Sequence, residues 1–128
     1  MSEVVFDASV MLAMIQREPG AEKITNELLD RSVASTVNLA EVQSKLVKKG
    51  YAPSEAWQDT LFAVHSVELY SSDHAKIAGD LIAVTEPYGL SLGDRSCLAL
   101  AIALNAPVYT TEQNWRKLKL GIPIHVIR

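Results

Sequence analysis

The sequence predicts an α/β protein, a three-layer α/β/α sandwich on a central parallel sheet of about five strands. Two observations lead there. Five short β-type runs occur along the 128 residues, and the segments between them are longer and helical in character. Such alternation makes βαβ units, whose right-handed crossovers cover both faces of a parallel sheet with helices. The chain is also of suitable size. At 48% hydrophobic it is long enough to bury roughly two thirds of the surface its unfolded form exposes. One domain over residues 1–128 is expected, since no repeat, low-complexity tract or linker divides it.

In chain order, the β-type runs are Val4 to Phe6, Ser32 to Thr36, Val67 to Tyr70, Val108 to Thr111 and Ile124 to Ile127. The clearest helix is "NLAEVQSKLVKKG": Leu39, Val42, Leu46 and Val47 share one face, lysines lie elsewhere, and Gly50 stands where a helix stops. Another starts near Ser54, after Pro53, and "DHAKIAGDLIAV" reads as a third. The segment "GDRSCLALAIALN" is apolar nearly all round, which marks it as a buried helix. Its Cys97, the only cysteine, has no disulfide partner and reads as a small core residue.

Composition excludes several classes. The longest apolar run, Cys97 to Leu104, has eight residues, too few to cross a bilayer, and the amino terminus shows no signal-type block. A soluble cytoplasmic protein with no membrane association is expected. A net charge of −3 is not that of a protein that coats nucleic acid indiscriminately, so any such contact must be local. Two basic clusters are available: Lys45, Lys48 and Lys49, and Arg116, Lys117 and Lys119. A solvated helix face is the simpler reading of each. No glycine-rich phosphate loop follows a strand. His65, His74 and His125 are scattered without ligand spacing, against both zinc and a histidine-based triad.

Four acids stand where a parallel sheet gathers its ligands, beyond the carboxyl ends of the strands. Asp7 ends the first run and Glu112 the fourth, while Glu41 and Asp94 each open a helix. Each acid has a structural alternative. Asn38-x-x-Glu41 and Ser91-x-x-Asp94 match the capping-box spacing, and Glu112 suits the start of "EQNWRKL". Asp7 is harder to explain, because a carboxylate ending a central strand is partly buried, and no cationic side chain follows until Arg17. Two carboxylates about 5 Å apart repel by roughly 3 kcal/mol at an effective dielectric of 20. Protonation offsets that repulsion, and at neutral pH so does a divalent cation; oxygen ligands without thiolate or histidine select Mg²⁺ or Mn²⁺.

The motifs "VFDASV", "NLAEV", "GDRSCLALA" and "YTTEQNW", in this order and spacing, resemble the PIN-domain nucleases, and among them the VapC-type toxins of prokaryotic toxin-antitoxin modules. The resemblance covers essentially the whole chain. It implies a Mg²⁺- or Mn²⁺-dependent endoribonuclease leaving 5′-phosphate and 3′-hydroxyl ends. Asp7, Glu41 and Asp94 match the family's three core acids, and Glu112 the fourth, where aspartate is commoner. Ser9 and Thr110 match its hydroxyl residues, expected to bond to ligand waters. A cognate antitoxin and a homodimer are implied as partners, beside the RNA substrate. Trp57, Leu61 and Phe62 in "SEAWQDTLFAV" are candidates for such a contact, although core packing explains most of these equally well.

Three other readings are weaker. A receiver-like domain needs an aspartate ending its third strand and a lysine near the last; here Asp73 lies beyond "VELYSS" and no lysine ends "PVYTT". A haloacid-dehalogenase-type phosphatase needs a second aspartate where Ser9 stands. A PIN fold without catalysis, acting through partners, is disfavoured by the presence of all four acids.

Overall fold

The computed structural model describes residues 2–128, Met1 lying outside the described residues. Five strands form one sheet: β1 (Val4–Phe6), β2 (Ser32–Ser35), β3 (Ser66–Glu68), β4 (Val108–Thr110) and β5 (Ile124–Val126). Their order is β3-β2-β1-β4-β5, and every neighbouring pair is parallel. The expected sandwich is therefore the observed one. β1 sits at the centre, and the chain winds outward from it first on one side and later on the other. The carboxyl ends of β1 and β4 flank that switch, where connecting segments diverge and leave a crevice. A receiver-like order would put the third strand beside the first. Here β3 is an edge strand, two places from β1.

Among the described residues seven α-helices connect the strands: α1 (Ala8–Gln16), α2 (Asn26–Asp30), α3 (Thr36–Lys48), α4 (Pro53–Phe62), α5 (Ser72–Asp80), α6 (Ile82–Thr85) and α7 (Leu92–Leu104). Alternation along β1 sorts the core into two layers. Val4 and Phe6 pack with Val10 and Met11 of α1 and with Leu39, Val42 and Leu46 of α3. Val5 packs on the other face with Leu98, Leu100 and Ala101 of α7, Val108 and Trp115. Cys97 is fully buried in that second layer, as its pattern predicts.

Two sequence expectations shift. The helix expected to begin at Asn38 begins at Thr36, because the Ser35 hydroxyl accepts a hydrogen bond from the Val37 amide at 3.2 Å and caps it. Glu41 therefore lies in the second turn of α3 rather than opening it. The segment "DHAKIAGDLIAV" is broken at Leu81 into α5 and α6. There the Leu81 carbonyl accepts from the amide and the hydroxyl of Thr85, at 3.0 and 2.8 Å. The three large apolar residues of α4 are surface residues: Trp57, Leu61 and Phe62 are 44%, 43% and 74% exposed. Core packing is thus not their role. Among the described residues no helix is long and apolar enough to cross a membrane.

Candidate functional site

Asp7 follows β1 directly and caps α1, its Oδ1 accepting the Val10 amide at 2.9 Å. It is only 2% exposed. Among the described residues no cation partners it; its charge is met by neutral donors. The Ser9 hydroxyl donates to the carboxylate, lying 2.7 Å from Oδ1 and 2.9 Å from Oδ2, and the Thr110 hydroxyl donates to Oδ2 at 2.6 Å. Both hydroxyls are themselves oriented by the turn after β4. The Thr111 amide donates to Ser9 Oγ at 2.9 Å and the Glu112 amide to Thr110 Oγ1 at 3.1 Å. Ser9 and Thr110 therefore hold the Asp7 carboxylate itself, a closer role than the contact with ligand waters expected of them.

These donors do not fully replace lost hydration. Burial raises the Asp7 carboxyl from 3.8 to about 6, with Asp94 adding to the rise and the Thr110, Ser9 and Val10 donors opposing it. Asp94 stands in the first turn of α7 and belongs to a complete capping box. Its Oδ2 accepts the Ser91 amide at 2.9 Å, and its own amide donates to Ser91 Oγ at 3.1 Å. The capping role read from the spacing is real here, and it leaves Oδ1 available. Glu41 is held differently. Asn38 Nδ2 donates to Glu41 Oε1 at 2.7 Å and to the Gly93 carbonyl at 3.0 Å, so one amide ties the acid on α3 to the start of α7. The Asn38–Glu41 spacing is thus a side-chain pair inside the helix, not a cap.

Cys97, one turn beyond Asp94, shows that these three acids share a neighbourhood. Burial pushes its thiol upward, and Asp7, Asp94 and Glu41 each push the same way. Glu112 stands apart from them. Its amide serves Thr110, but its side chain is exposed and lines a neighbouring groove. The structure therefore brings together Asp7, Glu41 and Asp94, with Ser9 and Thr110 in support, and leaves Glu112 at the rim. Among the described residues, no three acid, histidine or cysteine side chains already converge tightly enough to hold an ion between them.

Sequence reasoning missed two participants. Asn38 was visible only as a cap, because its partner on α7 is distant in the chain. Gly93 was not singled out, yet a Cβ there would overlap the Glu41 carboxylate. Its position immediately before Asp94 was the available signal.

The profile of the PIN domain family matches residues 4–120. The chain belongs to the PIN domain family. A search among curated proteins finds no significant match. Solved structures share the PIN fold at low identity. The chain is similar to a DNA-bound VapBC from Salmonella typhimurium, with 19% identity, TM-score 0.78 and all of both chains covered. It is similar also to the promoter-bound VapBC2 of Rickettsia felis, with 20% identity, TM-score 0.75 and 98% of each chain covered. A third is VapC20 of Mycobacterium tuberculosis, described as a sarcin-ricin loop cleaving toxin, with 16% identity, TM-score 0.74, and 89% of this chain and 93% of that one covered.

Two predictions follow from the PIN site geometry. The folded protein binds the Asp7 proton more readily than the unfolded chain does. Ionised Asp7 therefore lowers stability as pH rises from about 4 to about 6, by about 3 kcal/mol at neutral pH. Asp7→Asn keeps a good N-cap acceptor without the charge. In thermal unfolding without divalent ions it should be more stable than the parent at pH 7, with the gain vanishing near pH 4. A variant less stable at pH 7 would show that the Asp7 carboxylate is well accommodated. Gly93→Ala should leave thermal stability equal or higher, since alanine suits a helix better than glycine by about 1 kcal/mol. It should displace the Glu41 carboxylate, which titration with Mn²⁺ would detect as weakened binding; unchanged Mn²⁺ affinity would separate Glu41 from the site.

Proposed function

We propose that this PIN domain is a Mg²⁺- or Mn²⁺-dependent endoribonuclease, and that it acts as the toxin of a toxin-antitoxin pair in the cytoplasm. The observation that carries the proposal is Asp7. A buried carboxylate whose ionisation is opposed by burial and by Asp94 stands at the β1/β4 switch with no side-chain cation beside it. An all-oxygen donor set with spare lone pairs suits a hard divalent ion. Asp94 Oδ1 and Glu41 Oε2 are not used by the contacts that hold their partner oxygens.

Asp7, Glu41 and Asp94 would hold the ion, and Glu112 would complete the site from its rim. When bound, such an ion supplies an activated water and neutralises charge on the phosphodiester being cut. The chain's own residues do the positioning. Ser9 and Thr110 keep Asp7 directed at the crevice, so a metal ligand needs little reordering on loading. Asn38 restrains one oxygen of Glu41, and the Ser91 cap restrains one of Asp94. Glu112 is exposed, and among the described residues no hydrogen bond or salt bridge holds its carboxylate.

The solved relatives support the RNA substrate and the antitoxin, since one is described as cutting the sarcin-ricin loop and two as VapBC assemblies. The exposed Trp57, Leu61 and Phe62 of α4 supply an apolar face of the kind that an antitoxin or a second copy would cover. Phe62 also lines a cavity of about 270 Å³ with Met14 and Ile15 of α1.

The purified protein should be incubated with total cellular RNA and Mg²⁺ or Mn²⁺, beside Asp7→Asn and chelator controls, with sequencing of the new ends. Discrete cuts lost in both controls are expected, with a fall of 10²-fold or more for Asp7→Asn. Metal-dependent cutting retained by Asp7→Asn would remove Asp7 from the mechanism. A folded, Mn²⁺-binding protein that cuts no RNA would favour a PIN fold acting through partner contacts alone.

A further inference from the structure

Beside the acid site runs a groove of about 480 Å³ that shares only Ser9 and Glu112 with it. Ser9, Thr111 and Glu112 line it, and Ser9 touches Asp7, so the groove comes within one side chain of the buried carboxylate. Lys45, Lys48 and Lys49 line it as well. These three lysines lie four, seven and eight residues after Glu41, on one stripe of α3. Helical rise sets Lys45 about 6 Å and Lys49 about 12 Å along the axis from Glu41.

The charges there are uncompensated. Arg128, also in the groove, is paired with Glu18 at 3.2 Å. Lys49 meets only the neutral Gln16, at 3.1 Å, and among the described residues none of the three lysines has a carboxylate within salt-bridge distance. Ordinary helix design would place a glutamate four residues before a lysine to pair with it. Glu41 is instead turned to Asn38 and Gly93. A chain of net charge −3 thus concentrates unpaired cations beside its acid cluster. Three ammonium groups spread over about one helical turn, roughly 6 Å along the axis, match neighbouring phosphates of an extended single strand.

We propose that the Lys45–Lys48–Lys49 groove is a phosphate-binding track that holds the single-stranded RNA flanking the bond cut at the Asp7 site. This rests on the nuclease reading and adds the surface that positions its substrate. The second basic cluster, Arg116, Lys117 and Lys119, borders no part of this groove and serves as the control.

The test measures binding of a labelled, mixed-sequence single-stranded RNA oligonucleotide to full-length protein over a range of KCl. Asp7→Asn is present throughout to prevent cutting. Each phosphate contact in a single strand contributes about 0.7 to the slope of log affinity against log salt. The triple variant Lys45→Gln, Lys48→Gln, Lys49→Gln should lower that slope by about 2 and weaken binding at least tenfold at low salt. The corresponding triple arginine variant should keep both, as a merely structural role for lysine would not require. In proteins retaining Asp7, the glutamine triple should raise KM on a cleaved RNA while kcat stays within a few-fold.

An unchanged slope in the glutamine triple, with cutting by the parent intact, would overturn the track and leave the nuclease standing. An equal loss of slope in Arg116→Gln, Lys117→Gln, Lys119→Gln would also overturn it, showing general charge attraction only. A parent protein that cuts no RNA with Mn²⁺ would remove the nuclease reading, and the track with it. Binding of an acidic partner protein lost in the glutamine triple while RNA binding persists would give the groove to that partner instead.

Discussion

The arrangement of this domain turns on one buried carboxylate. Asp7 ends the central strand, between β2 and β4, where both faces of the sheet are covered and water is excluded. A charge in such a place is expensive unless it is well satisfied. Here it is satisfied by three neutral donors, two of them hydroxyls held in turn by backbone amides from the β4 turn. The result is a carboxylate held in place yet still under strain as an anion, which is the condition that favours an incoming cation.

The rest of the site depends on how two helices meet. α3 packs on one face of the sheet and α7 on the other, yet both start at its carboxyl edge. Asn38 joins them there through Glu41 and the Gly93 carbonyl, and the absence of a side chain at Gly93 leaves the space that Glu41 occupies. Because both contacts of Asn38 Nδ2 are acceptors, the amide has one sensible orientation. Stability and site geometry are thus linked at the same few atoms.

α3 also joins two regions of opposite charge. Its first turns carry Glu41 toward α7, and its last turns carry three lysines along α1. A rigid helix holds these groups at fixed separations, which loops would not do. On the opposite side of α1, the exposed aromatic face of α4 is separate from both. One small domain therefore offers an acidic crevice and a cationic groove that meet at Ser9 and Glu112, and an apolar face apart from both.

Much of this was legible in the residues alone. All five strands follow from short apolar runs bounded by breakers, and α3, α4, α5 and α7 from their helical spacing, whereas α1, apolar on most sides, was not read as a helix. The acids at strand and helix ends were visible from the same pattern. Other features depended on packing. Asp7 as a helix cap, Ser9 and Thr110 as its holders, and Asn38 as a bridge all involve partners that only folding selects, up to 103 residues apart in the case of Thr110. The sequence by itself determined the α/β architecture and the supply of acids at its ligand-binding edge, since both are set by local pattern. Tertiary structure decided that Asp7, Glu41 and Asp94 share one neighbourhood while Glu112 stays at the rim. The strand order and the α3–α7 contact, not chain spacing, set those distances.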